Sequence, residues 1–174
     1  VHPEDEALAR RFLAMGVGRA NNEKGAALAA TALEAKATEL SLKNCAHPRK
    51  DSDGDDTTKG DGMTQVPAEV LRMPWLIKLN LRENTIFALP PTFFDALPAL
   101  EELDLYGNCL TRLSPTIRKL LKLRVLKLYD NRLRELPVEM GELGALEELA
   151  LGWDDRSIIS PPPEIWKKKG DETE

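Results

Sequence analysis

The chain is poor in the residues that most often do chemistry. Its only cysteines are Cys45 and Cys109, and its only histidines are His2 and His47. One histidine sits at a terminus and the other in a polar run. Neither has a spacing that suggests a metal ligand or an activated nucleophile. Aromatic residues make up 5% of the sequence, and no apolar run approaches the ~20 residues that would span a bilayer. Basic residues are no more plentiful: 24 Lys and Arg stand against 29 Asp and Glu, a net charge of −5. That balance carries no electrostatic footprint for nucleic acid. The stretch GVGRANNEKG has glycines and a lysine without phosphate-loop spacing, and no strand precedes it. No catalytic constellation, cofactor or metal site is expected.

What is abundant is leucine at a fixed step. The run LRVLKLYDNRLRELPVEMGELGA, residues 123–145, begins as L-x-x-L-x-L, turns at Asn131 and returns through L-x-x-L-P-x-x-M-x-x-L. The same phrase occurs upstream in LEELDLYGNCLTRLSPTIRKLLK and LIKLNLRENTIFALPPTFFDALPA. The leading leucines Leu76, Leu100, Leu123 and Leu146 recur every 23 or 24 residues. A fixed step in this range is the mark of a solenoid built from one repeated supersecondary unit.

These residues resemble the leucine-rich repeat family over residues 37–166. The L-P-x-x-I/F/M ending is similar to the 23-residue subclass found in intracellular scaffolds such as Scribble, Erbin, the Ras suppressors and the plant Ras-group-related proteins. The resemblance implies an α/β leucine-rich repeat solenoid with a short parallel concave sheet. It also implies a non-enzymatic protein-binding module, a scaffold or signalling domain of a eukaryotic cell, with a protein partner on the concave face. Two other readings stand beside this one. The chain could be a structural subunit or fragment of a large multiprotein assembly, or the sensing domain of a larger signalling enzyme. Two unpaired cysteines without cysteine-rich caps suggest a reducing, cytoplasmic compartment.

Taken in order, residues 1–36 are expected to form an N-terminal helical cap, with helices over 4–15 and 22–36. Alanine-rich composition favours the second helix, and a terminal repeat needs its open core covered. Residues 37–174 are expected to hold about five repeats. The first, ATELSLKNC, turns its leucines Leu40 and Leu42 inward and is interrupted by the polar stretch 47–62. That stretch carries nothing large to bury and reads as a surface loop. Its DSDGDD segment invites a calcium reading. Counting from Asp51, however, the turn glycine and the bidentate glutamate of a calcium loop are both missing. Ser114-Pro115 is a local departure from the Leu-Pro step. Residues 158–174, with three consecutive prolines, resemble a C-terminal capping segment. The chain opens on Val1 and stops before any closing helix, and is therefore expected to be a fragment or a processed product.

Alignment of the repeats assigns roles. Asn84, Asn108 and Asn131 fall at the turn, with Cys45 in their place in the first repeat. Together these four are expected to form a structural ladder that satisfies turn backbone groups. Cys45 should point inward, and Cys109 should be the more exposed thiol. Between the leucines, alternate strand residues should face the concave side. They form columns: Glu39, Lys78, Glu102, Val125, Glu148; then Ser41, Asn80, Asp104, Lys127, Ala150; then Lys43, Arg82, Tyr106, Tyr129, Gly152. Both tyrosines of the chain share one column, with Arg82 beside them and Trp153 at their border. Tyr, Trp and Arg are enriched at interface hot spots. The candidate partner-binding residues are therefore Arg82, Asp104, Tyr106, Lys127, Tyr129 and Trp153. The paired glutamates at 101–102 and 147–148 read as solvated faces of the repeat.

Overall fold

Leu40, Leu79, Leu103, Leu126 and Leu149 stand in register across five short parallel strands and set the frame of the molecule. The computed structural model describes residues 19–43 and 62–151. Within these, the strands are β1 (Glu39–Ser41), β2 (Lys78–Asn80), β3 (Glu102–Asp104), β4 (Val125–Lys127) and β5 (Glu148–Ala150), ordered as in the sequence. In β2, β3 and β4 the central leucine is buried and its two neighbours are half exposed. That is the outcome of L-x-L spacing in a strand, where successive side chains point to opposite faces. The second leucine of each step, Leu42, Leu81, Leu105 and Leu128, is buried as well. Its N–H continues the parallel ladder, as in Leu81 to Asp104 O at 2.8 Å and Leu105 to Lys127 O at 2.9 Å.

The return limbs pack behind the sheet as single turns of helix. Three are 3₁₀ turns, Ala68–Arg72, Pro115–Lys119 and Val138–Glu142, each burying one residue: Val70, Ile117 or Met140. Between Leu76 and Leu100 the step is 24 rather than 23 residues, and here the turn is α-helical, α2 (Phe93–Ala96). The extra residue lets Phe93 and Phe94 both enter the core, edge to face at 5.3 Å. Ser114, which stands where Leu-Pro would be expected, caps its own turn by accepting from Thr116 N–H. This is the leucine-rich repeat solenoid, with one apolar core running through the described repeats.

Helix α1 (Arg19–Glu34) lies against the first repeat. Ala29 is fully buried, with Ala32 and Leu33 packed beside it. Asn22 exchanges two hydrogen bonds with Thr64, giving Nδ2 to its hydroxyl and receiving its N–H, both at 2.9 Å. Trp75 donates its indole N–H to Ala37 O at 3.1 Å, tying the next repeat to the end of the helix. The helix starts at residue 19 rather than 22 and stops before 36. Lys36 adopts a left-handed backbone, φ 51, with Lys36 N–H on Leu33 O and Ala37 N–H on Ala32 O. That pair of bonds is a Schellman C-cap, normally the place of a glycine. The expected helix over 4–15 and the capping segment 158–174 lie outside the described residues.

The polar insertion ends one residue earlier than its composition suggests. Gly62 is buried, and its carbonyl accepts the Thr85 hydroxyl at 2.9 Å. A Cβ built on it would fall 2.4 Å from Asn84 Cα. Glycine here is a close-approach residue, not part of a surface loop. Among the described residues no helix is long and apolar enough to cross a membrane.

Candidate functional site on the concave sheet face

The turn that ends each strand shapes the edge of the sheet. The residue before the ladder asparagine needs a left-handed backbone: Glu83 has φ 54, Gly107 φ 65 and Asp130 φ 55. Only Gly107 does this without cost. The asparagine then serves three segments at once. Asn84 donates to Leu42 O and Leu81 O, each at 2.9 Å, and accepts Met63 N–H at 3.0 Å. Asn108 donates to Leu81 O and Leu105 O and accepts Ile86 N–H. Asn131 repeats the pattern with Leu105 O, Leu128 O and Leu110 N–H. Each amide thus joins its own strand end, the preceding strand end and the preceding return limb. Cys45, aligned with them in sequence, lies outside the described residues.

On this frame the strand columns present an open groove of about 440 Å³ lined by residues of β1 to β4. Its floor is salt-bridged. Lys78 sits 3.2 Å from Glu102 and 3.5 Å from Glu39, and these carboxylates, Glu102 first, hold its ammonium above the ordinary lysine value. Lys127 lies 4.0 Å from Glu148. Asp104 is partly committed: its Oδ1 accepts the Tyr106 N–H at 3.0 Å, as Asn80 Oδ1 does from Arg82 N–H. These two side chains hold the strand ends that carry the next column.

That column is a stack. Arg82 Cζ lies 4.4 Å from the Tyr106 ring centroid, and the Tyr106 and Tyr129 rings are 4.1 Å apart, tilted by 31°. Glu83 grips the guanidinium from the side, 3.0 Å from Nε and 2.9 Å from Nη2. This hydrogen bond is the main reason the Arg82 guanidinium is held above its ordinary value. Lys43 lies 3.8 Å from the same carboxylate. Tyr129, at 37% exposure, is one of the more open large side chains of the described residues. The structure thus brings Arg82, Tyr106 and Tyr129 into contact, with Asp104 and Lys127 on the neighbouring column. Trp153 lies outside the described residues.

Sequence reasoning missed several partners. Glu83 is not among the candidate residues, yet it fixes Arg82. Glu101, Arg124 and Glu147 share one repeat position, and Arg124 makes a two-point pair with Glu147 at 3.0 and 2.9 Å. Glu147 is thereby held below the usual carboxylate value. Alternating charge at one repeat position was the available signal. The doubled glutamates are therefore not merely solvated: Glu147 and Glu102 each hold a cation of an adjacent repeat. Cys109 is half buried, and burial pushes its thiol up; Cys45, the thiol expected to be less exposed, lies outside the described residues.

Residues 74–117 match the leucine rich repeat family model. Podocan-like protein 1 of Mus musculus is 37% identical over 94 residues, which cover 52% of this chain and 16% of that protein. Among solved structures, similarity extends to the LRR ectodomain of the plant membrane receptor kinase GASSHO1/SCHENGEN3 from Arabidopsis thaliana, in complex with CASPARIAN STRIP INTEGRITY FACTOR 2. There the identity is 27% and the TM-score 0.50, over 58% of this chain and 12% of the receptor chain. The BIR2 ectodomain from Arabidopsis thaliana is 31% identical at a TM-score of 0.47, over 50% of this chain and 47% of that one. The chain spans less than half the length of each of these relatives.

Proposed function

We propose that this chain is a non-enzymatic protein-binding module that engages a protein partner through its concave sheet face. The observation that carries the reading is the Arg82–Tyr106–Tyr129 stack. It puts two rings and a guanidinium on a rigid sheet, the residue types over-represented at hot spots. Their conformations are already held by Glu83, Asp104 and the turn ladder, so little side-chain entropy is lost on binding. The solved receptor ectodomain, caught in complex with a factor, supports binding as the use of this architecture. An intracellular scaffold role, and with it the cytoplasmic location, belongs to the same proposal and rests on the Leu-Pro step and the cysteine count. The solved relatives named above are ectodomains and lend it no support.

The assembly-subunit reading draws on a different observation. Leu121 and Val138, on the return limbs, are 67% and 58% exposed. Oxidative footprinting of the chain with and without its purified partner separates the two. Protection of Tyr106 and Tyr129 supports the concave-face module. Protection of Leu121 and Val138, with the tyrosines still labelled, contradicts it and favours the assembly.

A further inference from the structure

The concave column contains one arginine site that is filled from within and one of like chemistry that no described residue fills. In the filled one, the Arg82 guanidinium lies on the Tyr106 ring and Glu83 holds its nitrogens. One repeat further on, Tyr129 has Tyr106 on one side; among the described residues no ring or guanidinium lies on the other. Beside it stands Asp130, at the same turn position as Glu83 and with the same left-handed backbone. Asp130 is exposed, and among the described residues its carboxylate holds no hydrogen bond or ion pair. Its main-chain carbonyl is engaged by Asn108 N–H at 3.1 Å, so the carboxylate is carried on a fixed turn.

We propose that Tyr129 and Asp130 form a receptor for an arginine side chain presented by an extended segment of the protein partner. The proposal rests on the concave-face reading above. Arginine fits better than lysine because a planar guanidinium can stack on the ring and still offer N–H groups in the ring plane to a carboxylate. The arrangement at Arg82 shows both contacts made at once. A net charge of −5 across the chain favours a basic segment over an acidic one. The carboxylate here comes from the ring's own repeat rather than from the preceding one. Because strands are only ~4.8 Å apart, a guanidinium on the Tyr129 face lies within reach of Asp130.

The test is an NMR titration of the ¹⁵N-labelled full chain with N-acetyl-arginine amide, and separately with N-acetyl-glutamine amide. The arginine probe should shift the amides of Tyr129, Asp130 and Asn131 saturably, and the glutamine probe should not. Asp130→Asn, which tolerates the left-handed turn, should weaken association by about threefold or more, and Tyr129→Leu should do the same. Both variants keep a dispersed spectrum, since both side chains are exposed. Equal response to glutamine, or unchanged association in Asp130→Asn, overturns the proposal. Failure of the broader reading looks different. If the arginine probe binds but the partner still holds a Tyr106→Ala/Tyr129→Ala variant at full strength, the site takes a free guanidinium only, and its partner role falls together with the concave-face reading. If the partner is lost from that variant while the probe is silent, the arginine site alone falls.

Discussion

Asn108 reaches back a full repeat to Leu81, donating Nδ2–H to its carbonyl at 3.0 Å. It also donates to its own Leu105 O and accepts Ile86 N–H at 3.1 Å. Asn108→Ala strips partners from three backbone groups in a buried turn. A loss of about 3 kcal/mol in urea unfolding is expected, at the upper end for one unsatisfied site. Asn131 is less buried, so Asn131→Ala should cost less. Equal costs, or a cost near zero for Asn108, would show that water replaces the amide.

Backbone handedness gives a pair of substitutions with opposite sign. Lys36→Gly relieves a left-handed lysine at the C-cap of α1 and should raise stability by about 0.5–1 kcal/mol. Gly107→Ala forces a Cβ onto φ 65 and should lower it by about 1–2 kcal/mol. Thermal melts of the two variants beside the parent chain check both signs.

Two deletions of equal length should behave differently. Removing 46–61 leaves Gly62 against Asn84; removing 47–62 puts Ala46 in its place, where a Cβ meets Asn84 Cα at 2.4 Å. Loop length itself costs little. The first deletion should melt within about 3 °C of the parent, a shift worth roughly 1 kcal/mol in a domain of this size, and the second should melt clearly lower. Identical melting points would refute the buried role of Gly62.

The repeat phase was legible because leucines every 23 or 24 residues leave no other register, and the ladder asparagines and the tyrosine column follow from it. Features that depend on one atom's surroundings were hidden. Gly62 reads as loop because its neighbours are polar; only the approach of Asn84 shows why it must be glycine. Glu83 and Arg82 are sequence neighbours, and in a flat strand they would point to opposite faces. The left-handed turn at Glu83 brings its carboxylate round to the guanidinium. Lys36 ends α1 by geometry that a lysine does not advertise.

Cys109 supplies a pH test. Burial raises its thiol, and the thiolate is the reactive form. At a given pH less of it is ionised than in the unfolded chain, and its reactivity should rise only at higher pH. Iodoacetamide labelling of the Cys109 peptide, followed by mass spectrometry at pH 8, should be several-fold slower in the folded protein than in urea. Equal rates would mean that the turn opens freely.

The most direct measurement concerns the stack itself. Tyr106 and Tyr129 stand on the open side of the sheet and outside the core. The Tyr106→Ala/Tyr129→Ala variant should therefore unfold within about 1 kcal/mol of the parent chain. Its affinity for the purified partner should fall by 2 kcal/mol or more, about thirtyfold. Unchanged affinity together with a large stability loss would contradict the account, making the tyrosines part of the fold and moving the interface off the concave face.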